Sequence, residues 1–112
     1  MLPADKAARI FKVLSVDTRL RMIELLKSRS LCVNALAKSL SISPAAASQH
    51  LRIMRDADVV IADKRGYFVH YRINEETLAE WQQITREILQ IDPFKKIIIN
   101  GDTDACNGDT DA

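Results

Sequence analysis

Ser48, Gln49, Arg52 and Arg55 stand at spacings that place them on one side of a helix, with Ala45 and Ala46 in the turn before them. A hydroxyl, a primary amide and two guanidiniums suit base edges and phosphate oxygens. Glutamine pairs well with adenine, and alanine methyls can lie against thymine methyls. Small residues at a helix start let the backbone approach closely, and its free N–H groups attract phosphate. Next, Lys64-Arg65-Gly66-Tyr67 sets two cations and an aromatic ring at a turn, followed by His70 and Arg72 on the return strand. Cations beside a reading helix are what backbone positioning on a duplex requires. A second chemistry, that of soft thiolates, resides in Cys32 and Cys106.

Local signals show how these side chains would be held. Ser43 reads as an N-cap and Pro44 as the first helical residue, where its missing N–H costs nothing. The helix they open runs to about residue 57, with Ala47, Leu51 and Met54 as its buried stripe. A shorter helix over 35–40, capped by Asn34 and turning Leu36, Ala37 and Leu40 inward, precedes it across a Ser41-Ile42 turn. Residues 59–64 and 67–73 read as strands joined at Arg65-Gly66, with Val69, Tyr71 and Ile73 inward.

Upstream, residues 4–14 form a helix with Ala7, Phe11 and Leu14 on one side. Asp17 caps the next helix, over 18–27, which turns Leu20, Ile23 and Leu26 inward, and residues 31–33 make an extended link. Downstream, Glu75 and Glu76 introduce a long helix from residue 77 to about 91, ended by Pro93. The sum is mainly α with a small β-hairpin, an α+β winged helix-turn-helix over residues 1–92. An acidic, flexible tail over 93–112 is expected to follow.

Composition bounds the rest. A chain of 112 residues, 47% hydrophobic, is one domain with a small core. Apolar runs such as Ile97-Ile98-Ile99 are far below the roughly 20 residues that span a bilayer. The N-terminus intersperses Asp5, Lys6, Arg9 and Lys12 among its apolar residues, unlike a signal peptide. A cytoplasmic protein with free thiols and no membrane partner is the expectation. The net charge of +1 conceals an asymmetry: all 16 Lys and Arg lie at or before Lys96, whereas Asp102, Asp104, Asp109 and Asp111 crowd the end. With no nucleophile–base pair, phosphate loop or ligand cluster, an enzyme is not expected. A winged helix used only for protein–protein contact is the rival reading, since fold does not dictate function. Small residues, Gln49 and Arg52 on the open helix face favour nucleic acid over that rival.

Three landmarks together, D-T-R-L at 17–20, S-Q-H-L-R at 48–52 and the wing Gly66-Tyr67-Phe68-Val69-His70-Tyr71-Arg72, resemble the ArsR/SmtB family of small dimeric bacterial repressors. The match spans residues 14–73, and the family's helix order extends it to about residue 91. One departure is Asp58, where the family usually has glycine; aspartate tolerates the left-handed conformation better than most residues. The resemblance implies a homodimer that binds a palindromic DNA operator and lets go when an effector arrives. Its DNA-contacting residues would be Ser43, Ala45, Ala46, Ser48, Gln49, His50, Arg52 and Arg55 on the helix, and Lys64, Arg65, Tyr67 and Arg72 on the wing. Leu78, Trp81, Ile84, Ile88 and Ile91 form an apolar stripe on the last helix. With Phe11 it offers a dimer interface, packing within one protomer being the alternative.

Metal sensing in that family uses thiolates at the start of the third helix, or His and carboxylates along the last. Residues 75–99 contain no His. Cys32 takes the first place of the family's C-x-C pair, but Asn34 stands at the second. Arsenite, antimonite and other soft metal(loid)s favour several thiolates, so Cys32 alone reads as a small, half-buried apolar residue. Cys106 lies between two copies of Asn-Gly-Asp-Thr-Asp-Ala, whose aspartates fail the calcium-loop pattern. A thiol in such a tail is expected to be exposed and able to reach Cys32 of either protomer, as a second thiolate or as a disulfide partner. His50 and His70 fit a helix and a wing better than a ligand set.

Overall fold

In the computed structural model the described residues are 4–92, and they form five helices and three strands. The order is α1 (Ala4–Leu14), α2 (Asp17–Leu26), β1 (Leu31–Cys32), α3 (Val33–Leu40), α4 (Pro44–Asp56), β2 (Val60–Arg65), β3 (Phe68–Ile73) and α5 (Glu75–Leu89). The three strands make one antiparallel sheet in the order β1-β3-β2. This is the winged helix-turn-helix expected from the sequence, with one strand more. Residues 31–32 are no mere link, because Leu31 pairs with Tyr71 and Cys32 with His70. Two residues carry too little pattern to announce a strand; the partner supplies it.

The core joins Ile10 of α1, Met22, Ile23 and Leu26 of α2, Leu36 of α3, Ala47, Leu51 and Met54 of α4, Val59, Val60 and Ile73 around the sheet, and Trp81 and Ile84 of α5. The α4 stripe is as the sequence predicts. On α1 the inward residue is Ile10 and not Phe11, which is 39% exposed. On α2, Met22 replaces Leu20, which is 49% exposed, and Val69 on the wing is also exposed because β3 outruns the core there. In α1 and α2 the pattern admitted two apolar sets one or two positions apart, and only packing decides between them.

The helix ends explain the sharp turns. Ser43 Oγ accepts from the Ala46 backbone N–H at 3.0 Å, the predicted cap. Val16 rather than Asp17 is the N-cap of α2, and Cys32 rather than Asn34 that of α3, neither with a side-chain bond. α3 ends with Ser41 at φ 57°, where Ile42 N–H donates to Ala37 O and Ser41 N–H to Lys38 O. α4 repeats the device: Asp58 has φ 65°, Val59 N–H donates to Met54 O and Asp58 N–H to Arg55 O. Both are Schellman closures, with a left-handed residue just past the helix. The second drops Val59 into the core and sends the chain straight into β2. Asn74 caps α5 through its side chain and donates its own N–H to Val59 O at 2.9 Å, tying the last helix to the start of the wing.

Candidate nucleic-acid interface

α3, the tight Ser41–Ser43 turn and α4 form the helix-turn-helix, with α2 packed behind them. Because Ala47, Leu51 and Met54 are fully buried, α4 turns the opposite face outward. That face carries Ala45, Ser48, Gln49, Arg52 and Arg55, all exposed, with Ser43 at its mouth and Ala46 half-buried at its edge. Arg55 shares an exposed ion pair with the neighbouring Asp56 at 3.7 Å. The first turn of α4 has no acid, so its N-terminal dipole is open to an anion.

β2 and β3 form the wing, paired from Val60 opposite Ile73 to Arg65 opposite Phe68. The loop is therefore Gly66-Tyr67, one residue beyond the predicted Arg65-Gly66. Gly66 takes φ +65° at its first position, as a tight hairpin of this type demands. Lys64 and Arg65 are exposed beside it, and Tyr67 is 100% exposed. An aromatic ring left wholly in water at a basic tip has no structural use within the chain.

Two predicted contacts are already engaged. Arg72 is exposed, but its Nε donates to Asp63 Oδ2 at 2.7 Å, so the wing's only acid neutralises one of its cations. His50 sits half-buried on the flank of α4, and its Nδ1 accepts from Arg19 Nε at 3.3 Å. The same Arg19 donates through Nη1 to Val13 O at 3.1 Å, linking the end of α1, α2 and the reading helix. Arg19 stood in the sequence only as part of a landmark string; nothing local shows that it reaches a residue 31 positions away.

Cys32 is a half-buried free thiol opposite His70, whose Nδ1 is buried and unpartnered. Among the described residues no group of three or more His, Cys, Asp and Glu converges as a metal site. Cys106 and the repeats around it lie outside the described residues. On α5, Trp81 and Ile84 are buried within the chain itself, and Leu78 packs half-buried against the core. Ile88 and Ile91 remain exposed at 42% and 81%. Lys6 Nζ pairs with Glu80 Oε2 at 2.8 Å and holds α1 along α5.

A model of the arsR family of bacterial regulatory proteins matches residues 17–62, which run from the start of α2 into β2. The arsenical resistance operon repressor of Escherichia coli (strain K12) is 31% identical over 105 residues, covering 91% of this chain and 90% of that protein. The chain belongs to the ArsR family. The transcriptional repressor SdpR of Bacillus subtilis (strain 168) is 31% identical over 71 residues, 63% of this chain and 79% of that protein. Among solved structures, a possible transcriptional regulator for arsenical resistance superposes with a TM-score of 0.68 at 33% identity, covering 72% of this chain and 84% of that one. The homodimeric winged helix-turn-helix DNA-binding domain of a possible ArsR-family regulator from Mycobacterium bovis superposes with a TM-score of 0.63 at 26% identity, covering 83% and 90%. In this ArsR-family chain, the matched segment holds α2, β1, the helix-turn-helix and the first half of β2. No helix among its described residues is long and apolar enough to cross a membrane.

Proposed function

We propose that this protein is a transcriptional repressor that binds a palindromic DNA operator as a homodimer, with α4 in the major groove and the wing tip on the flanking backbone. The observation that carries the reading is the open face of α4, where small and hydrogen-bonding side chains lie beside a helix N-terminus with no acid in its first turn and a basic, aromatic wing. Ser43, Ala45, Ala46, Ser48, Gln49, Arg52 and Arg55 meet DNA from the helix; Lys64, Arg65 and Tyr67 meet it from the wing. Two copies paired through α1 and α5, with Phe11, Ile88 and Ile91 in the seam, would set two reading helices about 34–36 Å apart.

Binding of DNA from the protein's own promoter region, titrated with salt against a random duplex, tests this reading. A steep loss of affinity with salt and a preference of at least about a thousandfold over random duplex are expected. A shallow salt slope without preference would leave the winged helix as a protein-binding module. Release is assigned to a thiol-directed effector: Cys32 is half-buried and Cys106 is its only possible thiol partner within the chain. Titrating the operator complex with arsenite, antimonite, cadmium, zinc and peroxide, in the wild type and in Cys32→Ser and Cys106→Ser, tests that part. A full response in both variants would exclude the thiols.

A further inference from the structure

We infer that Arg19 is a positioning residue for DNA binding: it orients the His50 imidazole so that its Nε2–H donates to a backbone phosphate at the edge of the groove. This rests on the proposed docking of α4. A guanidinium has donors only, so the bond from Arg19 Nε makes His50 Nδ1 the acceptor and leaves the ring's proton on Nε2. Nε2 has no hydrogen-bond partner, yet among the described residues the sole buried, unpartnered side-chain nitrogen or oxygen is His70 Nδ1. His50 Nε2 therefore opens to solvent.

Its place on the helix says what it meets. Each residue advances about 100° around the axis, so His50 lies one step beyond Gln49, between the open face and the buried stripe of Ala47, Leu51 and Met54. With the open face toward base edges, this flank turns to the groove wall, where the phosphates run. The cation of Arg19 behind the ring polarises it and strengthens the outward donor toward an anion. Arg19 also donates to Val13 O, so the orientation of that donor is referred to the end of α1 and not to α4 alone. His50 contacts DNA through one nitrogen because Arg19 occupies the other.

The test combines NMR of the free protein with DNA affinities of Arg19→Met, His50→Asn and the double variant, each checked by thermal unfolding. The ring nitrogen shifts of the wild type are expected to report an Nε2–H, Nδ1-acceptor tautomer; an Nδ1–H tautomer overturns the inference. Asparagine keeps an acceptor for Arg19, and its shorter amide cannot carry an N–H out to where the imidazole Nε2 stood. His50→Asn should thus unfold near the wild-type temperature while losing about tenfold in affinity, for operator and random duplex alike. Arg19→Met should lose a similar factor, and the double variant no more than His50→Asn, since both remove one phosphate contact. Factors that multiply in the double variant, or a folded Arg19→Met or His50→Asn within twofold of wild type, overturn it. If Arg19→Met fails to fold, Arg19→Lys replaces it. Wild type that binds no duplex refutes the docking itself, and is told apart because the tautomer is read without DNA.

Discussion

Asp63 lies in the middle of the wing and its carboxylate is given to Arg72. The pair is part-exposed and worth about 0–1 kcal/mol to the fold, yet it matters for a polyanion, since it withholds one cation and adds one anion at the face. Asp63→Asn should therefore bind every duplex more tightly and steepen the dependence of log affinity on log salt by about one unit. Unfolding should change little; an unaltered slope would mean that the wing does not lie on the backbone. Asp58 illustrates a different residue-scale effect. Its φ of 65° is the left-handed region, where an L-residue is strained by about 1–2 kcal/mol and aspartate by less. Glycine relieves that strain but is freer when unfolded, so Asp58→Gly should stabilise by no more than about 1 kcal/mol in denaturant titrations. The Ser43 cap was legible in the sequence because it spans four residues and obeys local rules. The bonds Arg72–Asp63 and Arg19–His50 were not, because they depend on strand register and helix packing.

At the scale of elements, the reading helix and the wing have separable duties. Gln49 projects from the open face of α4, and its amide can make a paired contact with adenine. Gln49→Ala should lose about 1–3 kcal/mol of discrimination at one base pair and leave random duplex binding unchanged. Arg65, at the end of β2 beside the Gly66-Tyr67 loop, would lie on the flanking backbone in the proposed docking. Arg65→Ala should weaken all sequences alike and flatten the salt slope by about one unit; gel shifts on operator and scrambled duplexes separate the two behaviours. The hairpin was foreseen from alternation and Gly66, yet its loop fell one residue later because the turn is decided by the pairing of Arg65 with Phe68. The helix faces of α1 and α2 show the same boundary. Ile10 and Phe11, or Leu20 and Met22, satisfy a helical period almost equally, and only the neighbouring elements select the inward one.

The whole molecule must be two copies if it is to read a palindrome, and the single chain leaves apolar surface exposed on α1 and at the end of α5, the elements proposed to pair. The stripe read from the sequence divides in two: Trp81 and Ile84 complete the core of one protomer, while Phe11, Ile88 and Ile91 stay exposed, with Leu89 beside them. A substitution at Trp81 would thus confound folding with assembly. Ile88 is the cleaner probe, because it lies on the last turn of α5 and contributes nothing to the buried core. Ile88→Glu should leave the protomer folded, with unfolding changed by less than about 1 kcal/mol, but place two carboxylates in an apolar seam and oppose pairing. Sedimentation should report a monomer at concentrations where wild type is a dimer. Operator affinity should then fall far more than random duplex affinity, because a monomer keeps its phosphate contacts and loses the linked second half-site. A dimeric Ile88→Glu with full operator affinity would move the interface off the end of α5.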